Sequence, residues 1–163
     1  MDIKLKNVTT ASLSALLELN NLAVPQVNRL DIAKMGWFYK ASAYFRMAVV
    51  DSRLAGFLIA LSPDCNYESQ YFDWFCQRYT NFIYIDRIIV AEWARRRGVG
   101  VALYKDVEHY AQGLELTVAS DVYSLPPNKI SLAFHKACGY KEVGSQLVES
   151  GTKTVAKFIK CPE

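Results

Sequence analysis

The sequence predicts a mixed α/β fold, with one central, mostly antiparallel, twisted sheet of six to seven strands and helices on both faces. Three observations predict it. Seven short runs are rich in β-branched and aromatic residues, as strands are. Four other stretches carry helical spacing or a helix-capping residue. The turn sequence Asp51-Ser52-Arg53 joins two of the strand runs as a hairpin, which favours antiparallel pairing around one core.

The predicted strands alternate with the predicted helices along the chain. The strands cover residues 3–7, 44–50, 54–61, 82–90, 114–122, 141–146 and 154–160. The first helix begins near Leu13 and is expected to be capped by Thr10 or Ser12, and the second lies between residues 31 and 40. A third helix spans 98–112, with an amphipathic pattern. A fourth runs from about residue 128 to 138 and is closed by Gly139 in a left-handed conformation.

Composition describes an ordinary folded protein. Of the 163 residues, 52% are apolar and 21% charged, so we expect one domain over residues 1–163 with its own core. No apolar run reaches the ~18 residues of a membrane span, and the first residues lack a signal-peptide core, so we expect a cytoplasmic protein. Four scattered cysteines without a CxxC pair predict neither zinc nor disulfides. A net charge of +3 is too small to indicate nucleic acid or a membrane as partner.

The densest positive charge lies between a strand and a helix, in Arg95-Arg96-Arg97-Gly98-Val99-Gly100. A helix N-terminus offers unpaired N–H groups and the positive end of the helix dipole, which together bind phosphate. Glycines allow close approach of an anion, and arginines add donors. The segment therefore predicts a diphosphate or nucleotide ligand. It is neither a Walker loop nor a dinucleotide fingerprint, because no GxxxxGK[ST] string occurs and Leu103 fills the third glycine position.

The same six residues resemble the R/Q-x-x-G-x-G/A motif of the GNAT acetyltransferases, in which this loop wraps the pyrophosphate of coenzyme A. The stretch 128–140, NKISLAFHKACGY, is similar to a second GNAT pattern, N-x-x-A/S-x-x-F-Y-x-x-x-G-F/Y. The resemblance implies acetyl-coenzyme A as co-substrate, no metal, and a primary amine of a small molecule or peptide as acceptor in a direct ternary-complex transfer. It also implies a set of coenzyme contacts: Ile88, Ile89, Val90, Arg95, Arg96, Arg97, Gly98, Val99, Gly100, Val101, Asn128, Phe134 and His135.

Strand 82–90 is where the resemblance places the chemistry. In GNAT enzymes this strand parts from its neighbour, and its free N–H groups face the thioester, where they stabilise the developing negative charge. A base must also take a proton from the amine, whose ordinary pKa is about 10. Tyr84 and Asp86 share one face of this strand and are the candidates, with Asp86 leading. An ion pair between Asp86 and an arginine is the alternative, and it would lower the carboxyl pKa.

His135 departs from the second GNAT pattern, because a tyrosine that protonates the departing thiolate is common at its position. Histidine can donate a proton near neutral pH, so His135 is a candidate acid. Coenzyme contact or packing is its alternative role, and Tyr123 or Tyr140 can replace it as acid. Asn128 is expected to bond the coenzyme and also to cap its helix.

An aromatic-rich insertion at residues 62–81 precedes the catalytic strand. It is expected to line an acceptor pocket, to plug the core or to form a homodimer contact. Two other functions stay open on sequence grounds. A non-catalytic acyl-coenzyme A sensor would bind the coenzyme without turnover, and a nucleic-acid binder would use the arginine triplet in a salt-dependent way.

Overall fold

The computed structural model describes all 163 residues. It has seven strands, within the predicted six to seven, and five α-helices, one more than the sequence predicts. The strands are β1 Ile3–Asn7, β2 Tyr44–Val50, β3 Arg53–Leu61, β4 Phe82–Val90, β5 Thr117–Leu125, β6 Lys141–Val148 and β7 Lys153–Lys160. The helices are α1 Leu13–Leu22, α2 Ile32–Ala41, α3 Gln70–Cys76, α4 Val99–Gly113 and α5 Lys129–Ala137.

The strands form a sheet in the order β1-β2-β3-β4-β5-β7-β6. Pairing is antiparallel between β1 and β2, β2 and β3, β5 and β7, and β6 and β7. Pairing is parallel between β4 and β5. This confirms the prediction of a mixed, mostly antiparallel sheet. All five helices fall short of the length and apolar character that a membrane crossing demands.

The chain divides into two compact units. The first contains Met1–Leu61 and Asp86–His109, and the second contains Ser62–Ile85 and Tyr110–Glu163. The first unit holds β1, β2 and β3 with α1 and α2, and the second holds β5, β6 and β7 with α3 and α5. Strand β4 contributes its first four residues to the second unit and its remaining five to the first.

The predicted hairpin between β2 and β3 is confirmed. Asp51 and Ser52 both have positive φ, at 50° and 63°, the backbone of a two-residue turn whose twist matches that of the strands. The left-handed end of α5 is confirmed as well, since Gly139 has φ 85°.

Three local predictions need correction. Strand β5 begins at Thr117 rather than residue 114, because α4 continues to Gly113 and is closed by a turn in which the Leu116 amide donates to Ala111. The hydroxyl of Ser12 does not cap α1, since it bonds the backbone of Thr9 in the preceding 3-10 turn. The insertion also contains helix α3, which the sequence pattern did not predict.

Gly56 on β3 lies so close to the backbone of β4 that no larger residue fits at this position. A Cβ atom there would lie 2.5 Å from the carbonyl oxygen of Ile89 on β4 and 3.3 Å from Cγ1 of Val99 on α4. The Ile89 carbonyl is part of the backbone of β4 and cannot move away without displacing that strand. Close packing of β3 against β4 and against the start of α4 therefore requires a glycine at position 56.

We therefore expect Gly56→Ala to destabilise the protein by about 1–3 kcal/mol through overpacking. Gly36 in α2 is the matched control, because a Cβ there meets nothing within 4 Å and alanine favours a helix by up to about 1 kcal/mol. Urea unfolding of both variants measures the difference. Equal stabilities for the two variants would contradict the close-packing argument.

Candidate active site

The arginine loop lies in the first unit, after β4 and a 3-10 turn at Glu92–Ala94. Arg95, Arg96 and Arg97 are all exposed, and α4 begins immediately afterwards at Val99. The backbone has positive φ at Arg96, 59°, and at Gly98, 85°. Left-handed residues close to right-handed ones turn successive N–H groups toward one side, which makes an anion-binding concavity. The predicted loop-to-helix geometry is therefore present, and phosphate binding by it stays a prediction.

Backbone contacts anchor this loop at its start. The Ala91 amide donates to Ala55 on β3 at 2.8 Å, and the Ala94 amide donates to Ala91 at 2.9 Å. Ala94 has no exposed surface. On the solvent side, the Arg53 guanidinium stacks on the Trp93 ring, 4.3 Å from its centroid. The anchored turn leaves the three arginines as the part of the loop that faces solvent.

The parallel pairing of β4 with β5 stops early. It joins Phe82 to Thr117 and ends with Ile85 opposite Ser120, although both strands continue. The next residue on β5 is Asp121, and the next on β4 is Asp86. Residues Ile88, Ile89 and Val90, predicted to face the thioester, lie beyond this point in the first unit.

Asp86 lies in an ion pair, which was the alternative considered for it. The Arg87 Nε donates to Asp86 Oδ2 at 2.7 Å, and both side chains are at least nine-tenths buried. The guanidinium also donates to Asn20 at 2.9 Å and to Asn28 at 3.0 Å, so all of its edges are bonded. Adjacent strand residues normally point to opposite faces, yet here the long arginine side chain reaches its neighbour's carboxylate. A fully bonded guanidinium holds Asp86 in one position.

Tyr84 belongs to a different buried network, in the second unit. Its hydroxyl donates to Asp121 Oδ2 at 2.6 Å, and Asp121 Oδ1 lies 2.5 Å from the Lys157 ammonium. Lys157 is directly opposite Asp121 in the β5–β7 register and has no exposed surface. Its ammonium also donates to the Tyr71 carbonyl at 3.2 Å. Burial lowers the pKa of Lys157, and Asp121 opposes that shift.

Sequence reasoning did not find Asp121 or Lys157. The available signal was Lys157 itself, which interrupts a buried run from Val155 to Ile159 on β7. A lysine in such a run requires a carboxylate partner. Its partner is 36 residues away in sequence and is identified only by the β5–β7 register.

The aromatic insertion plugs the core of the second unit at two of its rings. Phe72 and Phe75 are 2% and 0% exposed, and each ring centroid lies 5.6 Å from that of Tyr84. The rings of Tyr71, Trp74 and Phe75 lie 5.1–5.6 Å from the Lys157 ammonium, within cation–π range. Helix α3 thus covers the Tyr84–Asp121–Lys157 network.

The hydroxyl of Tyr71 lies in a more accessible polar group. It donates to Glu149 Oε1 at 2.8 Å and lies 3.1 Å from the Tyr123 hydroxyl. Partial burial raises the pKa of Tyr71, and the bonds to Tyr123 and Glu149 raise it further. Tyr71 therefore stays a neutral donor throughout the physiological pH range.

His135 is a core residue of the second unit. It is 3% exposed, and its ring centroid lies 5.3 Å from Tyr140 and 5.5 Å from Phe158. Its Nδ1 lies 2.7 Å from the Ser131 carbonyl oxygen, which can only accept, so Nδ1 carries the hydrogen. This environment favours the packing role considered for it. Asn128 caps α5, since its Oδ1 accepts from the Ser131 amide at 3.1 Å.

Comparison with known families decides the assignment. The model of the acetyltransferase (GNAT) family matches residues 14–140, most of the chain, including the arginine loop, β4, β5 and α5. The chain belongs to the GNAT acetyltransferase family. It is accordingly an acetyl-CoA-dependent acyltransferase. No curated protein matches the sequence significantly.

Solved GNAT structures share the fold over nearly the full length. NAA60 of Arabidopsis thaliana in complex with acetyl-CoA is 19% identical, with TM-score 0.76, and the alignment covers 98% of each chain. Ard1 from Thermoplasma volcanium is 13% identical, with TM-score 0.77, covering 99% of this chain and 98% of that one. The ribosomal-protein-S18-alanine N-acetyltransferase of Escherichia coli is 13% identical, with TM-score 0.73, covering 97% and 92%.

The polar groups of this GNAT domain fall into three sets. Exposed arginines and helix N–H groups suit the phosphates of acetyl-CoA. Buried pairs at Asp86–Arg87 and Asp121–Lys157 each fix one carboxylate. Tyrosine hydroxyls form the third set, at Tyr84 beside Asp121 and at Tyr71 beside Tyr123 and Glu149.

The Asp121–Lys157 pair predicts a measurable energetic coupling. We expect Lys157→Met to destabilise the protein by about 3–5 kcal/mol, because it leaves a carboxylate buried without its partner charge. Adding Asp121→Asn to Lys157→Met removes that charge and retains an acceptor for Tyr84, so most of the loss should be recovered. Guanidinium unfolding of the two single variants and the double variant gives the coupling. Simple additivity of the two losses would show that the charges do not interact.

Proposed function

We propose that the protein transfers the acetyl group of acetyl-CoA to a primary amine of a small molecule or peptide, by direct attack within a ternary complex. The observation that carries the proposal is the exposed arginine loop at the start of α4, in a chain of the GNAT family. We further propose that residues 1–163 act as one GNAT domain. The four free cysteines fit a reducing compartment such as the cytoplasm.

The coenzyme site is proposed to centre on the loop in the first unit. The N–H groups of Gly98, Val99, Gly100 and Val101 have no partners within the helix ladder, which begins when the Ala102 amide bonds Gly98. Arg95, Arg96 and Arg97 supply guanidinium groups for the remaining phosphate oxygens. A solved relative with this fold, NAA60, binds acetyl-CoA. By resemblance, Asn128 and the half-buried Phe134 are also proposed coenzyme contacts, whereas His135 is buried.

The reaction requires balanced proton movement. The amine nitrogen attacks the thioester carbonyl, a C–N bond forms, and the C–S bond breaks to release coenzyme A as a thiol. Backbone N–H groups of Ile88–Val90, which lie beyond the end of the β4–β5 pairing, are proposed to stabilise the oxyanion. The ammonium form of the acceptor loses two protons in all. One passes to a base, and from there to solvent, before the nitrogen attacks. The other leaves the nitrogen as the amide forms and is matched by the proton that the thiolate gains.

Asp86 and Tyr84 are the proposed proton-handling side chains of β4. Asp86 is held by Arg87, which fixes the position of its carboxylate. Transfer from the amine to Asp86 through a water molecule fits that arrangement, because the water relays the proton without moving the pair. The Tyr84 hydroxyl donates its hydrogen to Asp121, so its oxygen is available as a hydrogen-bond acceptor. His135, a residue of α5, is proposed to pack into the core of the second unit.

The substitution Gly100→Asp tests the proposed coenzyme site without disturbing the fold. A Cβ at Gly100 meets only Val90 Cγ2, at 3.9 Å, and an acidic residue in the first turn favours a helix by about 0.3–1 kcal/mol. We expect unchanged or slightly higher stability but at least about tenfold weaker acetyl-CoA binding, because the carboxylate repels the phosphates. Calorimetric titration with acetyl-CoA measures the dissociation constant. Gln112→Asp, the same charge change at the exposed other end of α4, is the control and should bind normally.

Catalytic roles are tested by thiol release from acetyl-CoA with a panel of polyamines, aminoglycosides, amino acids and peptides. We expect Asp86→Asn to lower kcat by about 10²–10⁴ once an acceptor is known, the usual contribution of a general base. We expect His135→Phe to lose stability, because the bond to Ser131 is removed, while keeping kcat within about tenfold of the parent, well short of the loss of a proton donor. A large fall in kcat for His135→Phe in a stable protein would reassign it as the acid. Coenzyme binding without thiol release on any amine would indicate a sensor instead.

A further inference from the structure

The second unit carries a polar group that the acetyl-transfer chemistry does not use. We call Tyr71, Tyr123 and Glu149 the acidic-aromatic cluster. Tyr71 has a single hydroxyl hydrogen, which it donates to Glu149, so the Tyr123 hydroxyl must be the donor in the 3.1 Å contact between the two tyrosines. Both tyrosines are half-buried and Glu149 is exposed. The hydrogens of the cluster point inward, which leaves carboxylate oxygens and ring faces available to a ligand.

The chemistry of the cluster suits a cation. A carboxylate oxygen accepts more than one hydrogen bond, so the exposed Glu149 keeps capacity beyond its bond to Tyr71. The Lys153 ammonium already lies over the Tyr123 ring, 5.2 Å from its centroid. That distance is within the range of a cation–π contact and shows that this ring face accepts an ammonium. Lys153 is exposed and therefore displaceable.

Glu149 is held in place by an unusual turn between β6 and β7. Glu149, Ser150 and Gly151 have φ values of 51°, 55° and 82°, and two of these residues are not glycine. Left-handed backbone is unfavourable for such residues and tends to occur where a side chain is placed for function. The Thr152 hydroxyl donates to the Glu149 carbonyl at 2.6 Å and closes the turn. On the other side, Lys157 fixes Tyr71 through its carbonyl oxygen.

The cluster lies further along β5 than the point where its pairing with β4 ends. Pairing of β4 and β5 ends at Ile85 and Ser120, and Tyr123 is three residues further along β5. At about 3.3 Å per strand residue, this separation is roughly 10 Å. Tyr123 also shares a strand face with Asp121, the partner of Tyr84.

We propose that the acidic-aromatic cluster binds a second positive charge of the acceptor. The preferred acceptor is then an elongated amine that carries an ammonium or guanidinium group in addition to the amine that is acetylated. This inference rests on the proposed acetyl transfer to a primary amine. It adds the substrate class: acceptors with two cationic groups, whether polyamines or peptides with a basic side chain next to the N-terminus.

A matched series of acceptors tests the inference. Linear α,ω-diamines of increasing length are compared with monoamines of equal length, using kcat/KM for thiol release from acetyl-CoA. We expect the diamines to be preferred, with an optimum at a longer chain length. Glu149→Gln should raise KM for diamines by about fivefold, the contribution of one exposed cation contact, and leave monoamines unchanged. Glu142→Gln, an exposed glutamate on β6, is the matched control and should change neither.

Lys153→Met should change the KM for diamines in the direction opposite to Glu149→Gln. Removing an ammonium that lies over the Tyr123 ring should lower KM for diamines by a similar factor, again without effect on monoamines.

Two peptides that differ only by lysine or norleucine in the second position distinguish a peptide acceptor from a polyamine. Preference for the lysine peptide that depends on Glu149 identifies the peptide source, and preference for diamines alone identifies the polyamine source.

Binding without acetyl-CoA separates this inference from the proposed function. A long diamine titrated into the protein alone should bind the parent more tightly than Glu149→Gln, whether or not any amine is acetylated. Thiol release with monoamines and diamines at equal efficiency, unaffected by Glu149→Gln, would overturn the inference and leave the acetyl-transfer proposal intact. Glu149-dependent diamine binding with no thiol release would preserve the cation site and overturn the acetyl-transfer proposal.

Discussion

A buried ammonium requires a carboxylate, and much of the second unit is arranged around that requirement. Lys157 has no exposed surface, and an unpaired charge at such a depth costs several kcal/mol. Asp121 meets the need from the opposing strand, and the same carboxylate accepts from Tyr84. Helix α3 supplies aromatic rings around the ammonium and a carbonyl oxygen to it. The insertion, β4, β5 and β7 are therefore fixed to one another by a single polar centre.

In the first unit, the main feature is positive charge that is exposed to solvent. Its loop arginines are exposed beside a helix start. The loop is anchored by backbone bonds, by the stacked Arg53 and Trp93, and by a long bond from Arg95 Nε to the Val90 carbonyl oxygen at 3.4 Å. The one arginine that is buried, Arg87, is fully bonded to Asp86 and two asparagines. Exposed guanidinium groups remain available to phosphate, whereas the buried one acts as a fixed support.

The two buried ion pairs have a shared consequence for catalysis. A carboxylate whose charge is balanced by a buried neighbour is held in one position. Asp86 and Asp121 are therefore ordered acceptors of hydrogen bonds. In acetyl transfer from a thioester, a reactive acyl donor and a fixed oxyanion site both lower the barrier. Recognition of the amine then depends on where acceptor oxygens and ring faces lie.

The sequence by itself determined most of the fold and the arginine loop at the start of α4. Strand and helix positions follow from local periodicity, and the loop follows from contiguous residues at a helix start, so neither requires knowledge of distant contacts. Sequence missed α3, because its aromatic face has meaning only against Phe82 and Tyr84. It also missed the Asp121–Lys157 pair and the meeting of Tyr71, Tyr123 and Glu149. These groups come together through strand register and one left-handed turn, and interactions between residues so far apart in the chain are decided only when the sheet is assembled.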